Sequence, residues 1–147
     1  MNLLIVGFST RGLAECAALS HSSGYSVTAL DYFGDMDQGR WSKSYSLRRD
    51  FQSSTFSAEA LIGALDRLEA TGIKYEAVAY TSGMENRPDV IRHIANNKRL
   101  LGNPAPVVEA VRDFKNVHRV LQSIGINYPR TLHSWRSPPP PGDWLCK

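Results

Sequence analysis

Apolar and polar positions over residues 1–31 follow the order strand, helix, strand. Residues 2–6 are an apolar run that ends at Gly7, and apolar residues then recur at helical spacing from residue 11 to about residue 22. A second apolar run, residues 25–30, ends at Asp31. A strand, a helix and a strand within about thirty residues form the unit that begins a parallel sheet with crossover helices.

The alternation continues along the chain, which predicts an α/β fold with a Rossmann-like parallel sheet flanked by helices. Ser57 is a favoured N-cap residue, and the apolar stripe of Leu61, Ile62, Leu65 and Leu68 predicts a helix over residues 58–71. The other predicted elements are a short strand at 45–47, a strand at 75–80, a helix at 88–97, a short strand at 99–102, helices at 104–113 and 116–124, and a final strand at 143–147.

The composition is that of a globular protein without a membrane segment. Of the 147 residues, 42% are hydrophobic, and the apolar runs are far too short to span a bilayer. Residues 1–20 lack the pattern of a signal peptide. The two cysteines, Cys16 and Cys146, suggest no disulfide framework, and we expect Cys16 to be a small buried core residue. These features predict a cytoplasmic protein with no membrane partner.

Charge and histidine placement exclude two further classes of function. The net charge is +3, and basic residues concentrate at 40–49 beside Trp41 and Tyr45. Because Asp31, Asp35 and Asp37 directly precede them and dilute the positive field, we expect no nucleic-acid partner. The four histidines are scattered without metal-ligand spacing, so we predict neither a catalytic residue nor a metal site in the chain.

Three polar loops follow predicted strands, and the carboxyl ends of parallel strands are where ligands bind. After the first strand, the hydroxyls of Ser9 and Thr10, the Arg11 side chain and the amides of a helix start make a candidate anion site. Asp31 follows the second strand and suits a ribose or an amine, while Glu85 lies in the loop at residues 82–86. Each feature also has a structural interpretation, as a turn glycine, a loop cap or a helix-start carboxylate.

A dinucleotide-binding domain is one alternative. Gly7 and Gly12 match two glycines of the G-x-G-x-x-G fingerprint, and Asp31 stands where a ribose contact is expected. Ser9, however, replaces the middle glycine, where the backbone must approach pyrophosphate closely. The sequence therefore leaves open an NAD(P)-binding oxidoreductase domain, and also a non-enzymatic module that binds a small molecule.

Four segments carry a resemblance to a known family. They are YTSGMENRPDVI from residue 80, RLLGN at 99–103, VRDFKNVHRVLQSIGINYPRT from residue 111, and WLCK at the end. Together they resemble the N-terminal half of an ATP-grasp ligase, in particular the predicted ATP-dependent carboligases related to biotin carboxylase. The resemblance implies a pre-ATP-grasp domain at residues 1–113 and the start of a truncated ATP-grasp domain at residues 114–147.

The resemblance also implies a reaction. ATP-grasp ligases activate a carboxylate with ATP and Mg²⁺ to an acyl phosphate, which an amine or a thiol then captures. The chain would supply the substrate-binding N-terminal domain and would be inactive alone, holding neither ATP nor Mg²⁺ completely. Its partners would be small carboxylate and amine substrates, and a homodimer is compatible with relatives in which pre-ATP-grasp faces dimerise.

The family's binding residues carry over by position. The substrate-contacting loops correspond to Ser9, Thr10 and Arg11 after the first strand and to Gly83, Glu85 and Asn86 after the fourth. Arg11 would then hold a carboxylate or phosphate, and Glu85 an amine or hydroxyl.

Two lysines match the family's nucleotide contacts. Lys147 resembles a lysine that touches the nucleotide phosphates, and Lys115 stands near the place of a second one, about one residue out of register. The final strand has no partner strand after it, so we expect the chain to be the front part of a longer protein.

Overall fold

The computed structural model describes residues 1–20, 24, 26–129, 131, 141 and 142, and divides the chain into two compact units, Met1–Arg112 and Asp113–Lys147. The first unit alternates strands and helices. Its elements are β1 (Asn2–Val6), α1 (Arg11–Leu19), β2 (Ser26–Asp31), a 3₁₀ helix (Met36–Arg40), β3 (Lys43–Ser46), α2 (Ala58–Ala70), β4 (Ala77–Tyr80), a 3₁₀ helix (Met84–Asn86), α3 (Pro88–Asn97), β5 (Arg99–Leu101) and α4 (Ala105–Arg112).

The five strands form one parallel sheet in the order β3-β2-β1-β4-β5. The chain leaves β1 in one direction to build β2 and β3, then returns to β1's other side to build β4 and β5. Val6, at the end of β1, lies opposite Leu30 of β2 and Tyr80 of β4. The order therefore reverses between β1 and β4, and such a reversal opens a crevice at the carboxyl ends of the strands.

The central strand is buried on both faces because helices cover both. Leu4 and Val6 point into one core, which the apolar faces of α2, α3 and α4 complete. Leu3 and Ile5 point to the opposite face and pack with Ala14 of α1. Successive residues of β1 point to opposite faces, and both faces are buried. The strand is therefore an uninterrupted apolar run rather than an alternating one.

Local sequence signals fix both ends of the longest helix. The Ser57 side chain accepts a hydrogen bond from the Ala60 amide, which satisfies one of the free N–H groups at the start of α2. At the other end Gly72 has φ +81°, a left-handed conformation that glycine adopts readily. The predicted N-cap and apolar stripe of this helix are confirmed.

The second unit contains α5 (Phe114–Ser123). The Asp113 side chain accepts a hydrogen bond from the Lys115 amide and caps this helix. His118 stacks on Tyr128, with ring centroids 4.8 Å apart. The assignment of residues 114–147 to the start of an ATP-grasp domain stays a prediction. The predicted final strand and Lys147 lie outside the described residues.

Two predictions in the first unit, for β3 and for Cys16, need correction. Strand β3 covers Lys43–Ser46 rather than residues 45–47, and the 3₁₀ helix at Met36–Arg40 was not predicted. Cys16 is exposed rather than buried. Ala14 is the fully buried residue of α1, and a residue two positions along a helix points about 200° away from it. In the part of the chain that the structure describes, no helix has the length and apolar character that crossing a membrane requires.

Candidate functional site

The loops after β1 and β4 are joined at the carboxyl edge of the sheet. The Phe8 amide donates to the Ser82 carbonyl at 2.7 Å, and the Thr81 hydroxyl donates to the Ser9 carbonyl at 2.8 Å. These loops flank the crevice where the strand order reverses, so the two hydrogen bonds fix its geometry.

Gly7 permits this junction. A Cβ atom at Gly7 would lie 1.9 Å from Oγ1 of Thr81 and 3.3 Å from the Ser82 carbonyl oxygen. The glycine that resembles the first position of a dinucleotide fingerprint is therefore required here by contact with the β4 loop.

A buried polar network links the start of α1 to the end of β2. The Thr10 hydroxyl donates to Oδ2 of Asp31 at 3.1 Å and accepts from Nε2 of Gln38 at 2.5 Å, while the Gly34 amide donates to Oδ1 of Asp31 at 2.7 Å. Burial raises the pKa of Asp31, and the hydrogen bonds from Gly34 and Thr10 oppose that rise. Oε1 of Gln38 is buried and has no hydrogen-bond partner among the described residues.

These contacts bear on three of the predicted binding residues. Asp31 is 1% exposed and both of its oxygens have partners within the protein, as its interpretation as a loop cap requires. Thr10 is fully buried, and Arg11 forms an ion pair with Asp37 at 2.6 Å. Roles for Thr10, Arg11 and Asp31 in substrate binding stay predictions.

Four aromatic rings, which the sequence analysis did not single out, cluster above the sheet edge. Phe8 stacks on Tyr32 with ring centroids 5.3 Å apart, and its ring meets Phe33 and Phe56 edge to face at 4.9 and 5.2 Å. Phe8 is 38% exposed and Phe33 is 47% exposed. Their sequence positions were a signal, because Phe8 follows the glycine after β1 and Tyr32-Phe33 follow the last residue of β2.

An open cavity of about 380 Å³ lies beside this cluster. Its lining residues are Phe8, Phe56, Ser82, Gly83, Asn86 and Arg87. Gly83 has φ +87°, and a Cβ there would lie 2.9 Å from Cε1 of Phe56 and 3.0 Å from Cβ of Phe8. The missing side chain at Gly83 thus allows both rings to approach the β4 loop.

Arg87 is the positively charged residue that lines this cavity. Its Nε and Nη2 atoms donate to the Phe56 carbonyl at 3.1 and 2.6 Å, and its Nη1 donates to the Asn86 carbonyl at 2.9 Å. The guanidinium also lies 6.0 Å from the centroid of the Phe56 ring, within the range of a cation–π contact. The side chain is therefore held in one orientation by backbone and ring.

The structure brings together some of the other predicted residues. Gly83 and Asn86 line the cavity, and Glu85 is half-buried and accepts a hydrogen bond from Nδ2 of Asn86 at 3.3 Å. Ser9 is exposed in the β1 loop. In the second unit, Lys115 contributes a backbone amide to the Asp113 cap. All of these predicted binding roles stay predictions.

A second polar cluster lies at the opposite, amino-terminal edge of the sheet, around Tyr75 and Lys98. The Tyr75 hydroxyl donates to Glu69 at 2.9 Å, and Lys98 pairs with the same carboxylate at 3.3 Å. Burial raises the pKa of Tyr75, and its hydrogen bond to Glu69 adds to the rise. His93 lies 3.5 Å from Asp66 beside them. Across the described ranges, no group of three potential metal ligands was found.

No protein-family model and no curated protein sequence matches the chain. Several solved structures resemble it, among them the following two. One is N5-carboxyaminoimidazole ribonucleotide synthetase from Thermus thermophilus, with a TM-score of 0.55 and 18% identity over 84% of this chain. The other is the biotin carboxylase domain of a single-chain bacterial carboxylase, with a TM-score of 0.57 and 18% identity over 83% of this chain.

The chain spans only 30% and 29% of the lengths of these two proteins, and matches their N-terminal part. Both are ATP-grasp enzymes, and at 18% identity the likeness concerns the fold. The predicted α/β class and the predicted resemblance are confirmed at that level. The chain has the fold of the N-terminal domain of ATP-grasp enzymes.

Proposed function

We propose that this chain is the substrate-binding N-terminal domain of an ATP-dependent ligase that joins a carboxylate to an amine or a thiol through an acyl phosphate. The observation that carries the proposal is a cavity at the strand-order reversal of a fold shared with two ATP-grasp enzymes. Ligands of open parallel sheets bind at this reversal.

In this proposal the chain positions the substrate. Arg87 and the aromatic rings of the cavity provide an anion contact and an apolar wall, and Ser9, Glu85 and Asn86 provide polar groups near its rim. Holding a reactant in one orientation lowers the entropy cost of the subsequent reaction.

The described residues do not fit a magnesium site, because they contain no group of three potential ligands. We therefore assign Mg²⁺ and the greater part of the ATP site to the remainder of the ligase and derive no step through them. Lys115 and Lys147 are proposed nucleotide contacts on the basis of the family resemblance. The proposal further expects a cytoplasmic enzyme with small-molecule substrates. Size-exclusion chromatography with light scattering tests whether the chain forms a homodimer.

The test is an ADP-release assay on the full-length natural protein with a panel of carboxylates, each offered with and without amines and thiols. We expect ADP release that requires Mg²⁺, a carboxylate and a nucleophile. Absence of ADP release with every combination, together with no ATP binding by calorimetry, contradicts the proposal. An increase in NADH fluorescence on titration would instead favour the dinucleotide-binding alternative.

A further inference from the structure

We infer that the cavity lined by Phe8, Phe56, Gly83 and Arg87 is a site for a carboxylate that carries an aromatic ring. The ring packs against the two phenylalanines and the carboxylate binds the Arg87 guanidinium. The inference deepens the proposed function and rests on it for the chemical fate of that carboxylate, but the binding itself requires neither ATP nor Mg²⁺.

The first step concerns the free donors of Arg87. A guanidinium has five N–H groups. Three of them reach the Phe56 and Asn86 carbonyls, through Nε, Nη2 and Nη1. One N–H remains on each Nη nitrogen, and neither makes a hydrogen bond to any of the described residues. Two donors on adjacent nitrogens match the two oxygens of a carboxylate.

The second step concerns preorganisation. The backbone contacts and the Phe56 ring already hold the guanidinium, so little side-chain entropy remains to be lost when an anion binds. The positive charge of Arg87 also lowers the pKa of Glu59. The interactions that most lower the pKa of Glu59, however, are hydrogen bonds within its own residue and with Ser57. Arg11, in contrast, is already neutralised by Asp37.

The third step concerns the apolar wall. Phe8 and Phe56 meet at an interplanar angle of 89°, which presents both a ring face and a ring edge near the cavity. Aromatic groups favour stacked and edge-to-face partners, which are worth about 0.5–1.5 kcal/mol beyond area burial. A partly exposed Phe8 beside a fixed cation therefore suits a ligand that is aromatic at one end and anionic at the other.

The volume and openness of the site suit a small ligand. The cavity of about 380 Å³ falls near the lower end of small-molecule sites, which range from about 300 to 1,000 Å³. Gly83 lines the cavity but contributes no side chain to it. A larger residue there would fill the space between the rings and the loop.

The experiment is calorimetry and saturation-transfer NMR on the whole 147-residue chain with three probes. The probes are 3-phenylpropanoate, 3-phenylpropan-1-ol, which has the ring without the charge, and propanoate, which has the charge without the ring. We expect 3-phenylpropanoate to bind, and each of the other two to bind about tenfold or more weakly.

Two pairs of variants locate the site. Arg87→Gln is expected to weaken 3-phenylpropanoate binding about tenfold or more, since it removes a charge-assisted pair of hydrogen bonds. Its matched control is Arg48→Gln, because Arg48 also lies over an aromatic ring, that of Tyr32 at 5.8 Å, but does not line the cavity. Phe8→Leu is expected to weaken binding several-fold, and Phe51→Leu, at a ring that meets Tyr45 and lies outside the lining, to leave it unchanged.

Several results overturn the inference. They are an absence of 3-phenylpropanoate binding at millimolar concentration, equal binding of the alcohol, or unchanged binding in both Arg87→Gln and Phe8→Leu. Circular dichroism shows whether Arg87→Gln unfolds through loss of its contact with Phe56. In that case, the relative affinities of the three probes and the effect of Phe8→Leu test the inferred site. Binding without ADP release in the full-length protein contradicts the ligase but leaves the site. ADP release with carboxylates that do not bind this cavity contradicts the site but leaves the ligase.

Discussion

Two aspartates at the carboxyl edge of the sheet are hydrogen-bonded in different ways. Asp31 ends β2, is buried, and receives hydrogen bonds from Thr10 and Gly34. Asp50 is also a hydrogen-bonded aspartate, but it is less buried and has an arginine partner, Arg49. Burial dominates at Asp31 and raises its pKa, whereas the Arg49 hydrogen bond dominates at Asp50 and lowers its pKa.

The two aspartates should therefore give opposite pH dependences of stability. The folded-state pKa of Asp31 lies above its ordinary value of 3.8. The stability that its protonation contributes is therefore fully present below pH 3.8 and is lost as the pH rises through the folded-state pKa. On acidification from pH 7 we expect the wild type to gain stability relative to Asp31→Asn. For Asp50 the folded pKa lies below 3.8, so the wild type should lose stability relative to Asp50→Asn as pH falls through that pKa. Urea unfolding at several pH values measures both differences, and slopes of the same sign would refute the assignment.

Gly83 offers a matched test of the space beside the cavity. Gly83 and Gly72 have nearly the same φ, +87° and +81°, but a Cβ would meet Phe8 and Phe56 only at Gly83 and would meet nothing within 4 Å at Gly72. We expect Gly72→Ala to cost about 1 kcal/mol for the left-handed backbone. Gly83→Ala should cost about 1–3 kcal/mol more for the crowding, and should weaken 3-phenylpropanoate binding. Denaturant unfolding compares the two variants, and equal losses would contradict the contact.

At the residue scale, the sequence placed its candidate binding residues at the sheet edge that carries the cavity, and their binding roles stay predictions. Gly83 and Asn86 do line the cavity. Arg11 was the predicted carboxylate contact, and its pairing with Asp37 depends on the 3₁₀ helix at Met36–Arg40, which has no strong periodic signal. Arg87 was missed because its orientation depends on a carbonyl thirty-one residues earlier in the chain, at Phe56.

At the scale of elements, the loops after β1 and β4 act as a single structure. Their junction consists of the Phe8–Ser82 backbone bond, the Thr81–Ser9 bond and the close approach of Thr81 to Gly7. Each loop supplies partner atoms for the other, so we expect their conformations to depend on each other.

A double-mutant cycle tests this junction. Gly7→Ala places a Cβ against the Thr81 side chain and should cost about 1–3 kcal/mol, as overpacking usually does. Thr81→Ala loses the hydroxyl bond to Ser9, worth about 0.5–1.5 kcal/mol, but removes the clashing atom. The double variant should therefore lose about 1 kcal/mol less unfolding free energy than the two single losses added together. Additive losses in thermal and urea unfolding would show that the contact is unimportant.

Elements with a strong local pattern were predictable, and those defined by tertiary contacts were not. The apolar run of β1 and the cap and stripe of α2 were confirmed almost residue for residue. Strand β3 carries no apolar run; its position is set by pairing, with Thr28 opposite Lys43 and Asp31 opposite Ser46. Similarly, Cys16 was assigned to the core because the small apolar residues of α1 surround the helix, and only packing on the sheet decides which of them is buried.

At the scale of the whole molecule, the core belongs to the first compact unit. Among the described residues, every strand and every residue of the two apolar clusters lies within residues 1–112. The cavity residues lie within the same range.

A protein comprising residues 1–112 should therefore fold cooperatively and bind 3-phenylpropanoate with an affinity within about threefold of that of the whole chain, because both apolar clusters and the whole cavity lining are retained. Thermal unfolding followed by circular dichroism measures the first property and calorimetry the second. A broad, non-cooperative transition would mean that the apolar clusters within these residues are insufficient to specify the fold.

Phe56, the residue immediately before the Ser57 cap, accepts two hydrogen bonds from the Arg87 guanidinium at its carbonyl. An anion bound to Arg87 would restrict the motion of that side chain, and so would steady the carbonyl it holds and the first turn of α2. Ligand binding in the cavity would then slow amide deuterium exchange in the first turn of α2, the longest helix.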